Sequence, residues 1–153
     1  MPLLDTLAGA DIAHVIQLSV APVFLLAGIG AILGVMSTRL ARVVDRARLL
    51  ENRLGSADPS SHADIHARLT TLARRARLIS HAIALCVSTA LLICSVIITL
   101  FIGAFFSFNA AVPAALLFIS ALLSFVFSLL WFLREIFIAT ASMQIGVLEK
   151  PKT

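Results

Sequence analysis

Nine arginines stand between residues 39 and 77, and four acids share that stretch. A guanidinium presents a rigid fork of N–H donors that matches carboxylate and phosphate, and it stays charged at any physiological pH. The chemistry on offer is therefore anion recognition, with side-chain carboxylates, lipid headgroups and nucleic-acid phosphate as the three classes of partner. Five of the nine lie in "STRLARVVDRARLLENRLG", residues 37–55, where no lysine occurs. The chain's two lysines, Lys150 and Lys152, are near its last residue. Arg39, Arg42, Asp45, Arg46, Arg74, Arg75, Arg77 and Glu135 are the residues expected to form ion pairs or to hold headgroups.

The remaining reactive side chains offer less. His62 and His66 are four apart in "HADIH", a spacing that places two metal ligands on one helix face. No third ligand is evident beyond Asp58 or Asp64, so solvated histidines are the favoured reading and no metal or other cofactor is expected. His81, Ser88 and Ser95 share one helical phase. Ser120, Ser124 and Ser128 follow one another at i, i+4 and i+8, and Gly30 and Gly34 form a GxxxG. Small-residue stripes of this kind let helices approach closely; the same hydroxyls lining a wet path is the alternative. Cys86 and Cys94, eight residues apart in an apolar run, are ~12 Å apart on one helix at ~1.5 Å per residue and cannot bridge each other. There is no paired-acid pocket, Gly-rich phosphate loop or nucleophile elbow, so no enzymatic activity is expected.

Composition says what must position these groups. Sixty per cent of the 153 residues are apolar, 13% are charged, and mean hydropathy is +1.04. Soluble domains run at roughly 45–50% and about 25%; at this size, so much apolar surface requires hydrocarbon as part of the solvent. Three stretches, about 15–36, 82–106 and 113–133, reach the ~20 apolar residues that cross a bilayer, and each must be helical to satisfy its backbone. "MPLLDTLAGAD" has no basic region and is broken by Asp5 and Asp11, so a signal peptide is not expected there. The segment before span one and the link between spans two and three carry no Lys or Arg. The positive-inside rule then places the N-terminus outside and both basic regions in the cytoplasm, with Trp131 as an interfacial anchor.

Between the first two spans, Leu40, Val43, Ala47, Leu50 and Leu54 step by three and four, as do Ile65, Leu69, Leu72, Ala76 and Ile79. These are two seams of an antiparallel helical hairpin over about 39–79. "GSADPSSH" supplies the turn, with Gly55 to end the first arm and Pro59 to block its continuation. No breaker separates either arm from its span. Pro113 opens span three; Pro22 lies inside span one, where Ser19 or Gln17 is placed to partner the freed carbonyl. Span three should continue as a helix over about 134–149. The expected fold is an all-α integral membrane protein, one domain over residues 1–153.

Within the hairpin the arginines flank the seams. Asp45 is expected near Arg74 or Arg75, Glu51 near Arg68, and Glu135 beside Arg39 or Arg77. Asp45 and Glu51 cannot neutralise so many arginines, and the remainder must face water, lipid phosphate or another subunit. Without interleaved aromatics, nucleic acid is a poor partner.

"IQLSVAPVFLLAGIGAILGVMSTRLARVVDRARLLE" and, downstream, "LARRARLISHAI" resemble a family of small bacterial membrane proteins that has no assigned function. The resemblance covers nearly the whole chain. It rests on the Ile-Gln-Leu and Ser-x-x-Pro entering span one, on the basic exit Arg39, Leu40, Arg42, Asp45 and Arg46, and on the second basic run Arg74, Arg75 and Arg77. It implies a multi-pass protein of the bacterial inner membrane and brings no substrate or cofactor. The functional expectation is a non-enzymatic, self-associating membrane protein whose basic hairpin meets anionic lipid or an unknown protein partner. An oligomeric channel with an anion-favouring vestibule is the alternative.

Overall fold

A computed structural model describes residues 2–55, 61–106 and 109–148, with side chains described over 13–55, 61–106 and 109–140. Asp58, Pro59, Lys150, Lys152 and position 149 of the expected C-terminal extension lie outside the described residues. The described chain consists of three helices and no strand: α1 (Pro2–Leu54), α2 (His62–Phe106) and α3 (Ala111–Leu148). Spans and hairpin arms are parts of the same helices, because nothing between residues 36 and 39 or between 79 and 82 interrupts backbone pairing. α1 stops at Leu54, just before Gly55.

Local rules account for the helix ends. The Asn109 carboxamide oxygen accepts from the Ala111 amide at 3.1 Å, the bond that an N-cap side chain gives to an otherwise orphaned donor. Pro113 falls in that first turn, where its missing N–H is not needed. Pro22 sits within α1. The Ser19 hydroxyl does not serve the carbonyl that Pro22 leaves unpaired; it donates to Val15 O at 2.8 Å. A helical serine reaches the carbonyl four residues before itself, and for Ser19 that is Val15.

The chain divides into two compact units, each drawn from all three helices. Unit 1 comprises Met1–Leu33 and Leu85–Val126, and unit 2 comprises Gly34–Ala84 and Phe127–Thr153. Burial follows a step of seven. On α1 the buried positions at this step are Val15, Pro22, Ile29, Met36 and Val43, with Ser19 buried off it. On α2 they are Leu72, Ile79, Cys86 and Ile93, with a second row at Ala82, Thr89, Val96 and Gly103, and Leu78 buried off both. On α3 they are Ala114, Ala121, Ser128 and Glu135. A seven-residue repeat keeps one edge of a helix against its neighbours, as in knobs-into-holes packing. The arm seams obey it too, since all ten positions from Leu40 to Leu54 and from Ile65 to Ile79 are buried or half-buried.

Away from these edges the helices are greasy and open: Phe24, Phe105, Leu116 and Phe127 are all more than half exposed. Water does not tolerate contiguous apolar surface on this scale. All three helices are long and apolar enough to cross a bilayer, and the protein is a multi-pass membrane protein.

Candidate functional site

The acid on the α3 edge is the most unusual residue in unit 2. Glu135 follows Ser128 by seven residues, so its side chain falls on the same inward edge and is only 1% exposed. A buried carboxylate must be compensated. Two arginines do this. Arg39 of α1 donates through Nη1 to Oε2 at 2.9 Å. Arg75 of α2 donates through Nη2 and Nε to Oε1, at 2.8 and 3.2 Å. One carboxylate thus ties together all three helices of the unit, and each of its oxygens is engaged.

Heptad phase selects Arg75. It precedes Ala82 by seven residues and lies on a buried edge of α2, leaving its side chain 17% exposed. Arg77, two residues on, is turned by about 200° and is exposed. The expectation of Arg77 as a partner of Glu135 is therefore corrected to Arg75. Arg39 is 40% exposed and is held from a second side, its guanidinium 5.5 Å from the centre of the Phe132 ring. Phe132 and Glu135 are three apart on α3 and share a face, so one helix supplies both the charge and the ring that fix Arg39.

The same end of α3 carries a second cluster. Trp131 stacks on His81 at 5.9 Å, with the Arg134 guanidinium 5.7 Å from its ring. The His81 Nδ1 lies 2.7 Å from Arg77 O. A carbonyl only accepts, so the proton is on Nδ1.

The other acids with described side chains, Asp45, Glu51 and Asp64, make at most local ion pairs. Arg68 pairs with Asp64 one turn earlier on α2, at 3.2 Å, with both side chains exposed. This replaces the expected Glu51–Arg68 pair, since an i,i+4 partner needs no tertiary reach. Asp45 does not pair with Arg74 or Arg75; Arg75 is already held by Glu135, where burial makes the ion pair more necessary. Among the described residues Arg42, Arg46, Arg48, Arg53, Arg74 and Arg77 have no ion pair.

Beside the clamp, unit 2 has an open cleft of about 460 Å³. Arg39, Arg42, Arg46 and Arg75 line it together with Asp45 and Glu135, and Val43, Leu49 and Leu72 form its apolar wall. Four guanidinium groups meet two carboxylates there.

The small-residue candidates separate into two kinds. In unit 2 the buried Ser128 donates to Ala82 O at 2.7 Å, and in unit 1 Ser124 donates to Leu85 O at 3.1 Å. Both bonds join α3 to α2. Ser95 and Ser120 turn back on their own helices, to Leu91 O and Leu116 O, and Ser88 is exposed. Gly30 and Gly34 have open space where a Cβ would stand, so among the described residues nothing packs against the GxxxG. The seven-residue edge through Ile29 and Met36 faces inward, which turns Gly30 and Gly34 outward. Thr89, fully buried and bonded to Leu85 O at 2.9 Å, was not singled out from sequence. The signal for it was the step of seven from Ala82.

Among the described residues no three His, Cys, Asp or Glu side chains converge as a metal site. The weak candidates His62 and His66 gain no third ligand there, and Asp58 lies outside the described residues.

Neither the curated proteins nor the solved structures contain a match to the chain. The heptad edges from Pro22 onward, the basic exit from span one and the Glu135 clamp all lie within residues 19–145, which match the DUF2721 family of proteins of unknown function, and the chain belongs to that family.

Proposed function

We propose that this is a non-enzymatic protein of the bacterial inner membrane that self-associates, with its Arg-rich helical hairpin on the cytoplasmic side engaging anionic lipid headgroups or an acidic partner. The observation that carries this reading is the arginine surplus. Glu135 takes two arginines and Asp64 takes one, while six more have no ion pair among the described residues. A basic group near an anionic leaflet contributes about 1 kcal/mol, fading within a Debye length. Arg39, Arg42, Arg75 and Arg77, close to the spans in sequence, are best placed for headgroups, and Arg53 and Arg68, at the far end of the arms, are not. Self-association draws support from Gly30 and Gly34, whose faces are open.

The chain's single tryptophan, Trp131, provides the test. In liposomes, brominated phosphatidylglycerol should quench its fluorescence more than brominated phosphatidylcholine at equal mole fraction. Equal quenching would count against headgroup engagement. Native mass spectrometry in mild detergent should show an oligomer, and a stable monomer would remove self-association. The channel alternative has less support, because Ser124 and Ser128 already donate to backbone carbonyls. Liposome conductance altered by Ser88→Phe would revive it.

A further inference from the structure

We propose that the cleft beside Glu135 is a binding site for a dianionic phosphomonoester, held by Arg42 and Arg46 together with the free N–H groups of Arg39 and Arg75. This rests on the anion-engaging reading above and narrows it from a diffuse basic surface to one site.

Four observations lead there. First, Glu135 is fully engaged by Arg39 and Arg75, so it fixes those guanidinium groups without being free to compete for them. Each still has donors to give: Arg39 uses Nη1 alone, and Arg75 uses Nε and Nη2, out of five N–H groups apiece. Second, Arg42 and Arg46 are one turn apart on α1 and both line the cleft without an ion pair among the described residues. Like charges at i,i+4 repel, and an anion between them relieves that. Third, four guanidinium groups against Asp45 and Glu135 leave two positive charges over. That matches a phosphomonoester dianion better than a carboxylate or a phosphodiester. Fourth, the volume of about 460 Å³ exceeds what a bare phosphate fills, and Val43, Leu49 and Leu72 give its carbon substituent an apolar wall. Asp45 faces the same space and opposes an anion, so the phosphate belongs on the side of Arg42 and Arg46 away from it.

Such a phosphate can arrive on a lipid headgroup or on a soluble molecule, and the experiment separates them. The full chain in phosphatidylcholine nanodiscs is titrated calorimetrically with glycerol 3-phosphate. In a parallel arm, brominated phosphatidate and brominated phosphatidylglycerol are compared as quenchers of Trp131. We expect saturable binding of glycerol 3-phosphate for a soluble ligand, or preference for phosphatidate over phosphatidylglycerol for a headgroup. Either should weaken roughly tenfold in Arg42→Ala/Arg46→Ala, where charge-assisted forks are lost, and hold in Arg48→Ala/Arg53→Ala, which removes the same charge elsewhere on α1. Arg42→Lys/Arg46→Lys keeps the charge and the exposed helix surface, so it folds if the alanine pair does not, and it should still lose most of the binding because an ammonium cannot fork. The site is overturned if neither arm shows binding, if both alanine pairs lose it equally, or if the lysine pair binds like the parent. Equal loss would leave general headgroup attraction standing; quenching alike by phosphatidylcholine and both anionic lipids would remove that as well.

Discussion

Unit 1 and unit 2 are built from the same three helices and handle polarity in opposite ways. Between residues 13 and 33 and between 85 and 126 there is no Asp, Glu, Lys or Arg. The hydroxyls of Ser19, Thr89, Ser95, Thr99 and Ser120 donate to carbonyls four residues back on their own helices. Cys86 approaches Ile29 O at 3.9 Å, a weak contact. Unit 2 places a fully buried carboxylate on its packing edge and reaches across three helices to neutralise it. The lesson concerns specificity. Apolar and hydroxyl-bearing edges at a step of seven tolerate sliding, because one small residue replaces another. A single acid that must meet Arg39 and Arg75 admits one register.

Removing that acid is the sharpest way to break the contrast. Glu135→Ala should lower stability by about 3–5 kcal/mol, since it leaves a largely buried Arg75 without its counter-charge; thermal unfolding in detergent reads this out. Little or no loss would show that unit 2 is held by its seams and hydroxyl bonds, as unit 1 is. Arg75→Ala should cost about 3 kcal/mol, and Arg39→Ala about 1 kcal/mol because water screens the more exposed partner. If the order is reversed, the ring contact of Arg39 with Phe132 matters more than the ion pair. Ser128→Ala should cost about 0.6–1 kcal/mol, the usual worth of a hydroxyl bond between helices in a bilayer. Ser120→Ala and Asp64→Ala should both fall within about 0.5 kcal/mol of the parent, one losing a bond to its own helix and the other an exposed pair. A large effect from Ser120→Ala would mean that this stripe meets another copy of the chain.

Much of the fold was legible because it follows from local pattern. Apolar runs of sufficient length, the absence of a breaker at residues 36–39 and 79–82, and three-and-four spacing of Leu, Val and Ile lead to three long helices with inward seams. The site was legible only in part. Glu135 stood out as an acid at the end of an apolar helix, and Arg39 was a candidate partner by position. Distance from the loop of an antiparallel hairpin puts Arg74 or Arg75 beside Asp45 instead. Rotation about the helix axis decides the partner as well, and it separates Arg75 from Arg77. The step of seven from Glu135 through Ser128 and Ala121 to Ala114 was present in the sequence and would have exposed the edge.

The sequence by itself determined that this chain lives in a bilayer, that it crosses as helices, and that most of its basic charge is gathered between residues 39 and 77. Those follow from solvation: hydrocarbon accepts no unpaired backbone and no bare charge. Only the tertiary structure decided which arginines are neutralised and which line an open cleft. Ion pairing depends on distances of 3 to 4 Å, and those are set by how three helices rotate and pack, which no count of charges along a chain contains.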